Sequence, residues 1–220
     1  MNSTKNELRT EGYPVMLRLS NQRCIIVGGG QVSARKAAGL LKTGALITVI
    51  SPVLHPDLEE LTDQSLIEVR RTVYISGCLT DLKPRLVFAA TDNPAINRQI
   101  AAEAQMLGAL VNSVDDDTDS NFTNMAVMRQ GLITLAIATD GASPALAAHL
   151  RQRLIAVVGT EYITLAAWMA EARPQLQATV SDQSKRAALW RQVLESSILD
   201  DLRGGDEYKA RIIFEEIITR

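Results

Sequence analysis

Gly28-Gly29-Gly30-Gln31-Val32-Ser33 lies between a short apolar run and a helical one, and its G-x-G-x-x-S spacing suits a turn that receives phosphate. Gly28 would permit the tight turn, and Gly30 would let the backbone come close to a pyrophosphate. The amides of Gln31 and Val32, at a helix amino end, would then meet the negative charge. The third position asks for a small residue where helix and strand pack closely, and Ser33 is small. A turn that merely connects strand to helix is the alternative, but three successive glycines cost chain entropy unless their freedom is used. The adenosine ribose would be read at Ser51-Pro52, where the next strand ends. Neither an acid nor a base stands there, so the motif leaves the choice between NAD and NADP open.

Other residues could carry chemistry at the same level of the chain. Asp115 follows an apolar run at 110–114 and opens the acidic series Asp115, Asp116, Asp117 and Asp119. A carboxylate at a strand end could act as a base, provided burial raises its pKa; a solvated acidic turn would read the same way. The series lacks the glycine and distant Glu of a calcium loop, and no metal site is expected. Thr91 and Asp92 fall near another strand end, within reach of ribose or nicotinamide, although Asp92 could equally cap the turn before Pro94. Asn112 belongs to the same edge. Ser143-Pro144 opens a helix and is either an ordinary cap or an anchor for carboxylates. Arg18, Arg35 and Lys36 are candidate anion partners or simply solvated charges. His55, before Pro56 in a loop, and His149, within a helix, gain no role from spacing. Cys24 reads as a small buried hydrophobe.

Positioning these groups requires alternating strands and helices. Strands are expected at 23–27, 46–50, 67–71, 86–90 and 110–114, with helices at 32–41 and from Pro94 toward Leu107. The order strand, glycine turn, helix, strand fills one βαβ unit, and short connections imply a Rossmann-type, doubly wound parallel sheet. After Asp115 the pattern changes. Two strands at 124–128 and 132–138 flank Arg129-Gln130-Gly131 as a hairpin. Helices follow from Ser143 and at 162–172, 185–194 and 208–218, punctuated by Pro174 and Gly204-Gly205. Trp168, Met169 and Trp190 are expected in a core or a dimer contact.

Composition sets outer bounds. Of 220 residues, 46% are hydrophobic but only 4% aromatic, so the core must be built from Ala, Val, Ile and Leu, as in a sheet packed with small-residue helices. A net charge of −2 gives no general attraction to nucleic acid or to an anionic membrane. No run approaches the ~18–20 apolar residues that cross a bilayer. The polar amino terminus lacks the apolar centre of a signal peptide, and a cytoplasmic protein is expected.

With these residues in view, the chain resembles the precorrin-2 dehydrogenase and sirohydrochlorin ferrochelatase family, which includes the N-terminal module of sirohaem synthase and stand-alone homologues. The resemblance rests on Tyr13-Pro14-Val15, GGGQVSARKA at 28–37, TVISP at 48–52, AATDN at 89–93, VNSVDD at 111–116 and GASPALAAHLR at 141–151. These run in family order over about the first 155 residues. Departures lie at Asp116 and Asp117, at Met125 where many members have proline, and at Asp140 where a glycine is commoner. The resemblance implies an NAD-binding Rossmann domain (1–114), a small α+β dimerisation region (115–150) and a C-terminal helical domain (151–220). It implies oxidation of precorrin-2 to sirohydrochlorin with NAD, in an intertwined homodimer, with Fe2+ inserted by some members only. Asp115 then becomes the catalytic carboxylate, and Gly28, Gly30, Gln31, Val32, Ser51, Pro52, Thr91 and Asp92 the cofactor contacts. Ser143 and Asn112 become contacts for the tetrapyrrole. A non-catalytic dinucleotide-sensing or tetrapyrrole-binding module, or a chelatase alone, stays open on the same residues.

Overall fold

A computed structural model describes residues 12–115 and 117–219, with Asp117 described by its backbone alone; Asp116 lies outside the described residues. The chain divides between Asn124 and Met125 into two compact units.

The first unit holds a five-stranded parallel sheet of β1 (Arg23–Val27), β2 (Leu46–Ile50), β3 (Glu68–Arg70), β4 (Leu86–Ala89) and β5 (Leu110–Ser113). Their spatial order is β3-β2-β1-β4-β5. Helices α1 (Gln31–Leu41), α2 (Pro56–Asp63) and α3 (Pro94–Met106) connect them, with a 3₁₀ turn at Thr80–Leu82. Beyond its exposed first residue, Arg23, central β1 is apolar because it is covered on both faces. Cys24 and Ile26 enter one core with Ala34, Ala37, Val49 and Phe88, while Ile25 and Val27 enter another with Val87, Ile100 and Ala104. Cys24 is fully buried, and burial pushes its thiol pKa up to about 11. It behaves as a hydrophobe.

The expected strands and the first and third helices recur within a residue or two, but α2 corrects the loop reading around His55. His55 is its N-cap, with Nδ1 accepting from the Asp57 amide at 3.3 Å, and Pro56 occupies the first turn. Only Leu58 of α2 is buried. A helix with a single buried residue leaves no apolar stripe to be recognised from sequence.

A buried carboxylate fastens the crossover from β3 to β4. Glu103, on α3, accepts from the Tyr74 hydroxyl (2.5 Å), the Gly77 amide (3.1 Å) and the Leu79 amide (2.9 Å). Burial, then the bond to Glu103, raises the Tyr74 phenol above its usual range. Glu103→Ala should strand three donors and cost about 2–4 kcal/mol, read as a lower urea midpoint. An unchanged midpoint would show that this crossover is held by its apolar residues alone.

In the second unit, β6 (Ala126–Gln130) and β7 (Ile133–Ile137) form an antiparallel hairpin. Gln130 pairs with Ile133, so the turn is Gly131-Leu132, later than the expected Arg129-Gln130-Gly131. Gly131 supplies the left-handed φ of +54° that a two-residue turn demands. α4 (Pro144–Val157) packs on this hairpin. α5 (Thr160–Thr179), α6 (Gln183–Glu195), α7 (Ile198–Arg203) and α8 (Glu207–Ile218) share a core that includes Leu165, Trp168, Val193 and Phe214. Pro174 was expected to end a helix, yet α5 runs through it. Leu165, Trp168, Ala172 and Leu176 carry one buried face past the proline, and that packing offsets the lost backbone bond. Among the described residues, no single helix is long and apolar enough to cross a membrane.

Candidate dinucleotide and carboxylate site

In this sheet the chain leaves β1 toward β2 and later returns to the other side of β1 as β4. The carboxyl ends of β1 and β4 therefore form the crevice where open α/β sheets bind ligands. The glycine turn lies there. Gly28 has φ +119°, donates its amide to Ile50 O at 2.9 Å, and leaves no room for a Cβ, which would fall on the Ala90 carbonyl. Gly29 accepts from the His55 amide at 2.7 Å. Gly30 differs. Its φ of −82° suits any residue, and a Cβ there would meet nothing within 4 Å.

The amino end of α1 is open in the same sense. It has neither a side-chain cap nor an acid in its first turn, whereas Asn93, Ser143, Asp182 and Asp206 cap α3, α4, α6 and α8. Uncapped amides, a positive helix end and unfilled space beside Gly30 fit the pyrophosphate of a dinucleotide. Ser33, fully buried in this turn, keeps the helix close to the sheet.

The other groups expected to touch the cofactor follow strands of the same sheet. Ser51 is buried and its hydroxyl donates to Val53 O at 2.7 Å, which shapes the turn carrying Pro52. Thr91, just past β4, is held by a residue the motif search missed. Asn97 accepts from the Thr91 amide (3.0 Å) and hydroxyl (2.7 Å) and donates to the Thr91 carbonyl (3.0 Å). Asn97 is fully buried. The signal was available: it is the polar member of the buried stripe Asn97, Ile100, Ala101, Ala104 on α3. Asp92 is exposed beside Thr91.

Asp115 lies just beyond β5, exposed in the single chain, and accepts from the Ser113 hydroxyl at 2.6 Å. Ser113 is buried at the end of β5 and was not singled out from sequence. Asn112 is also buried; its amide donates to Phe122 O (3.3 Å) and its carbonyl accepts from the Asn124 side chain (2.8 Å). The segment 120–124 thereby covers the edge of β5. Ser120 accepts from the Ser113 amide (2.9 Å), and Asn121 accepts from the Val111 amide through its side chain (2.7 Å). In the second unit, Ser143 is the N-cap of α4, its hydroxyl accepting from the Leu146 amide at 3.1 Å. Trp168 is buried and Met169 and Trp190 pack against the same core, while His149 is exposed on α4.

Lys36 is not the solvated charge that its place on a helix suggested. It is half-buried, with Nζ 4.8 Å from the centre of the Phe88 ring. Burial, then the adjacent Arg35 charge, holds its ammonium below the usual lysine pKa.

Comparison with known proteins agrees with this geometry. A family model described as "Putative NAD(P)-binding" matches residues 15–126, and a model of the "Sirohaem synthase dimerisation region" matches residues 161–218, which hold most of α5 and all of α6 to α8. The chain is 36% identical over 209 residues to a siroheme synthase of Chromobacterium violaceum, covering 95% of this chain and 44% of that protein. It is 34% identical over 204 residues to one of Methylococcus capsulatus, covering 92% and 42%. The chain thus spans less than half the length of these curated relatives. Among solved structures, "SirC, precorrin-2 dehydrogenase" superposes with a TM-score of 0.75 at 25% identity, covering 95% of this chain and all of that one. The parallel sheet, the open glycine turn and these matches together establish that the chain belongs to the NAD(P)-binding family that includes SirC and the matching part of the siroheme synthases.

Proposed function

We propose that this protein oxidises precorrin-2 to sirohydrochlorin with NAD as the acceptor, acting as a homodimer in the cytoplasm. The observation that carries the reading is one shared edge. The uncapped amino end of α1 follows β1, and Asp115 follows β5, with only β4 between those strands. Gly28, Gly30, Gln31 and Val32 would hold the pyrophosphate, Ser51 and Pro52 the adenosine ribose, and Thr91 and Asp92 the nicotinamide half. NAD, when bound, supplies the hydride-accepting ring. Precorrin-2 loses one hydride to it and one proton, and Asp115 is the group that takes the proton. The Ser113 hydroxyl fixes the carboxylate through Oδ1 just beyond the end of β5. Substrate contact leads Asp115 to lose water on binding, which favours its proton-accepting role near neutral pH.

Asn112 would act on the tetrapyrrole through the segment 120–124 that it holds, and Ser143 would offer the amino end of α4 to a substrate carboxylate. Pairing of two copies is supported by the matched dimerisation region and by apolar residues that a single chain leaves exposed on the hairpin and α4, notably Leu132 at 67% and Leu146 at 47%. The proposed division is 1–114 for NAD, 115–150 as a dimer contact and 151–220 as the helical domain, whose residues 161–218 match the dimerisation region and would contribute to pairing as well. Two free cysteines suit a reducing compartment. Fe2+ insertion would draw on the same base, since pyrrole N–H protons must leave.

Incubating the protein with precorrin-2 and NAD should give NADH and sirohydrochlorin in equal amounts. No turnover with either NAD or NADP rejects the reading. Insertion of Co2+ or Fe2+ into supplied sirohydrochlorin without NAD would separate chelation from oxidation.

A further inference from the structure

Lys36 places a half-buried ammonium where the glycine turn does not need it. Its charge rests over Phe88, whose ring meets Phe122 edge-on at 5.7 Å. Among the described residues no carboxylate pairs with it, and its neighbour Arg35 adds a like charge. A ring face recovers only part of what an ammonium loses on leaving water. The position therefore gains from any anion that arrives.

Register puts this cation near the chemistry. Phe88 pairs with Asn112, and the next pair in the same ladder is Ala89 with Ser113, the residue that holds Asp115. Lys36 thus lies over Phe88 of β4, the strand that leads to Thr91 and that pairs with β5, the strand that leads to Asp115. Phe122, partly exposed, adds apolar surface against the same Phe88 ring. A cation beside an aromatic edge, with a base farther out, suits a flat, apolar ring system bearing carboxylates.

Resting on the function proposed above, we propose that Lys36 is a substrate-recognition residue, its ammonium binding a peripheral carboxylate of the tetrapyrrole and so orienting the ring toward Asp115. It takes no part in proton or hydride transfer. The pairing also supplies a counter-charge that the described residues do not, so substrate binding and burial of Lys36 reinforce each other.

The test uses the full chain and the variants Lys36→Met, which keeps the stem over Phe88, and Lys36→Arg, which keeps the charge. Sirohydrochlorin affinity is measured by tryptophan fluorescence, together with KM, kcat, the NAD dissociation constant and the melting temperature. Lys36→Met is expected to weaken sirohydrochlorin binding and raise KM about 10-fold, the scale of one partly buried charge-assisted contact. The kcat, NAD affinity and melting temperature should stay as in the parent. Its affinity should also depend less steeply on salt, and Lys36→Arg should recover most of the loss. Unchanged sirohydrochlorin affinity in Lys36→Met, or a loss matched by equal losses in NAD affinity and melting temperature, overturns the proposal. A parent protein that binds NAD but no tetrapyrrole overturns the proposed function itself, which is a distinguishable result.

Discussion

Gly30→Ala is expected to fold normally and to bind NAD roughly 30-fold more weakly, a loss of about 2 kcal/mol. Gly28→Ala, by contrast, should cost about 3 kcal/mol of stability before any ligand is added. The two glycines look equivalent in the motif and differ in what surrounds them. At Gly28 the φ of +119° and the Ala90 carbonyl both exclude a side chain, so the chain itself requires glycine. At Gly30 the backbone is ordinary and the space is open, so nothing in the protein forbids a methyl group. Losing glycine at a helix N-cap costs less than about 1 kcal/mol. What a methyl would displace there is the pyrophosphate. Calorimetric titration with NAD and a thermal melt on each variant separate the two cases. If Gly30→Ala binds NAD as tightly as the parent, the open amino end of α1 is not the phosphate site.

The second large effect is expected at Asp115. Asp115→Asn should lower turnover of precorrin-2 about 10²- to 10⁴-fold, the range that a positioned proton acceptor contributes. NAD affinity should not change, because Asp115 follows β5 whereas the phosphate contacts follow β1. Asparagine keeps the shape and can still accept from the Ser113 hydroxyl, so the loss would report the missing base rather than a collapsed turn. The same variant separates the remaining readings. A dinucleotide-sensing module would bind its ligands unchanged, and a chelatase would lose metal insertion even without NAD. Turnover at the parent rate would remove Asp115 from the mechanism and leave the edge of β5 with only a structural role.

The readable parts of the molecule were those whose pattern is local. Strands 23–27 and 46–50 were recovered to the residue, because a strand buried on both faces reads as a nearly continuous apolar run. The glycine turn was equally legible, since a backbone that turns tightly and receives phosphate restricts which residues can stand there. α2 escaped because one buried leucine makes no stripe, and Pro174 misled because its local cost is outweighed by a core assembled from four helices.

Sequence alone therefore determined the order of the strands, the glycine turn after β1 and the place of an acidic residue just past β5. Only the tertiary structure decided which glycine the chain needs for itself, that Asn97 and Ser113 hold Thr91 and Asp115, and that Lys36 is half-buried over Phe88. The physical reason is distance along the chain. Periodicity and turn chemistry act over a few residues, whereas Lys36 and Phe88 meet only because β1 and β4, whose paired residues are 62 apart in sequence, lie side by side in the sheet.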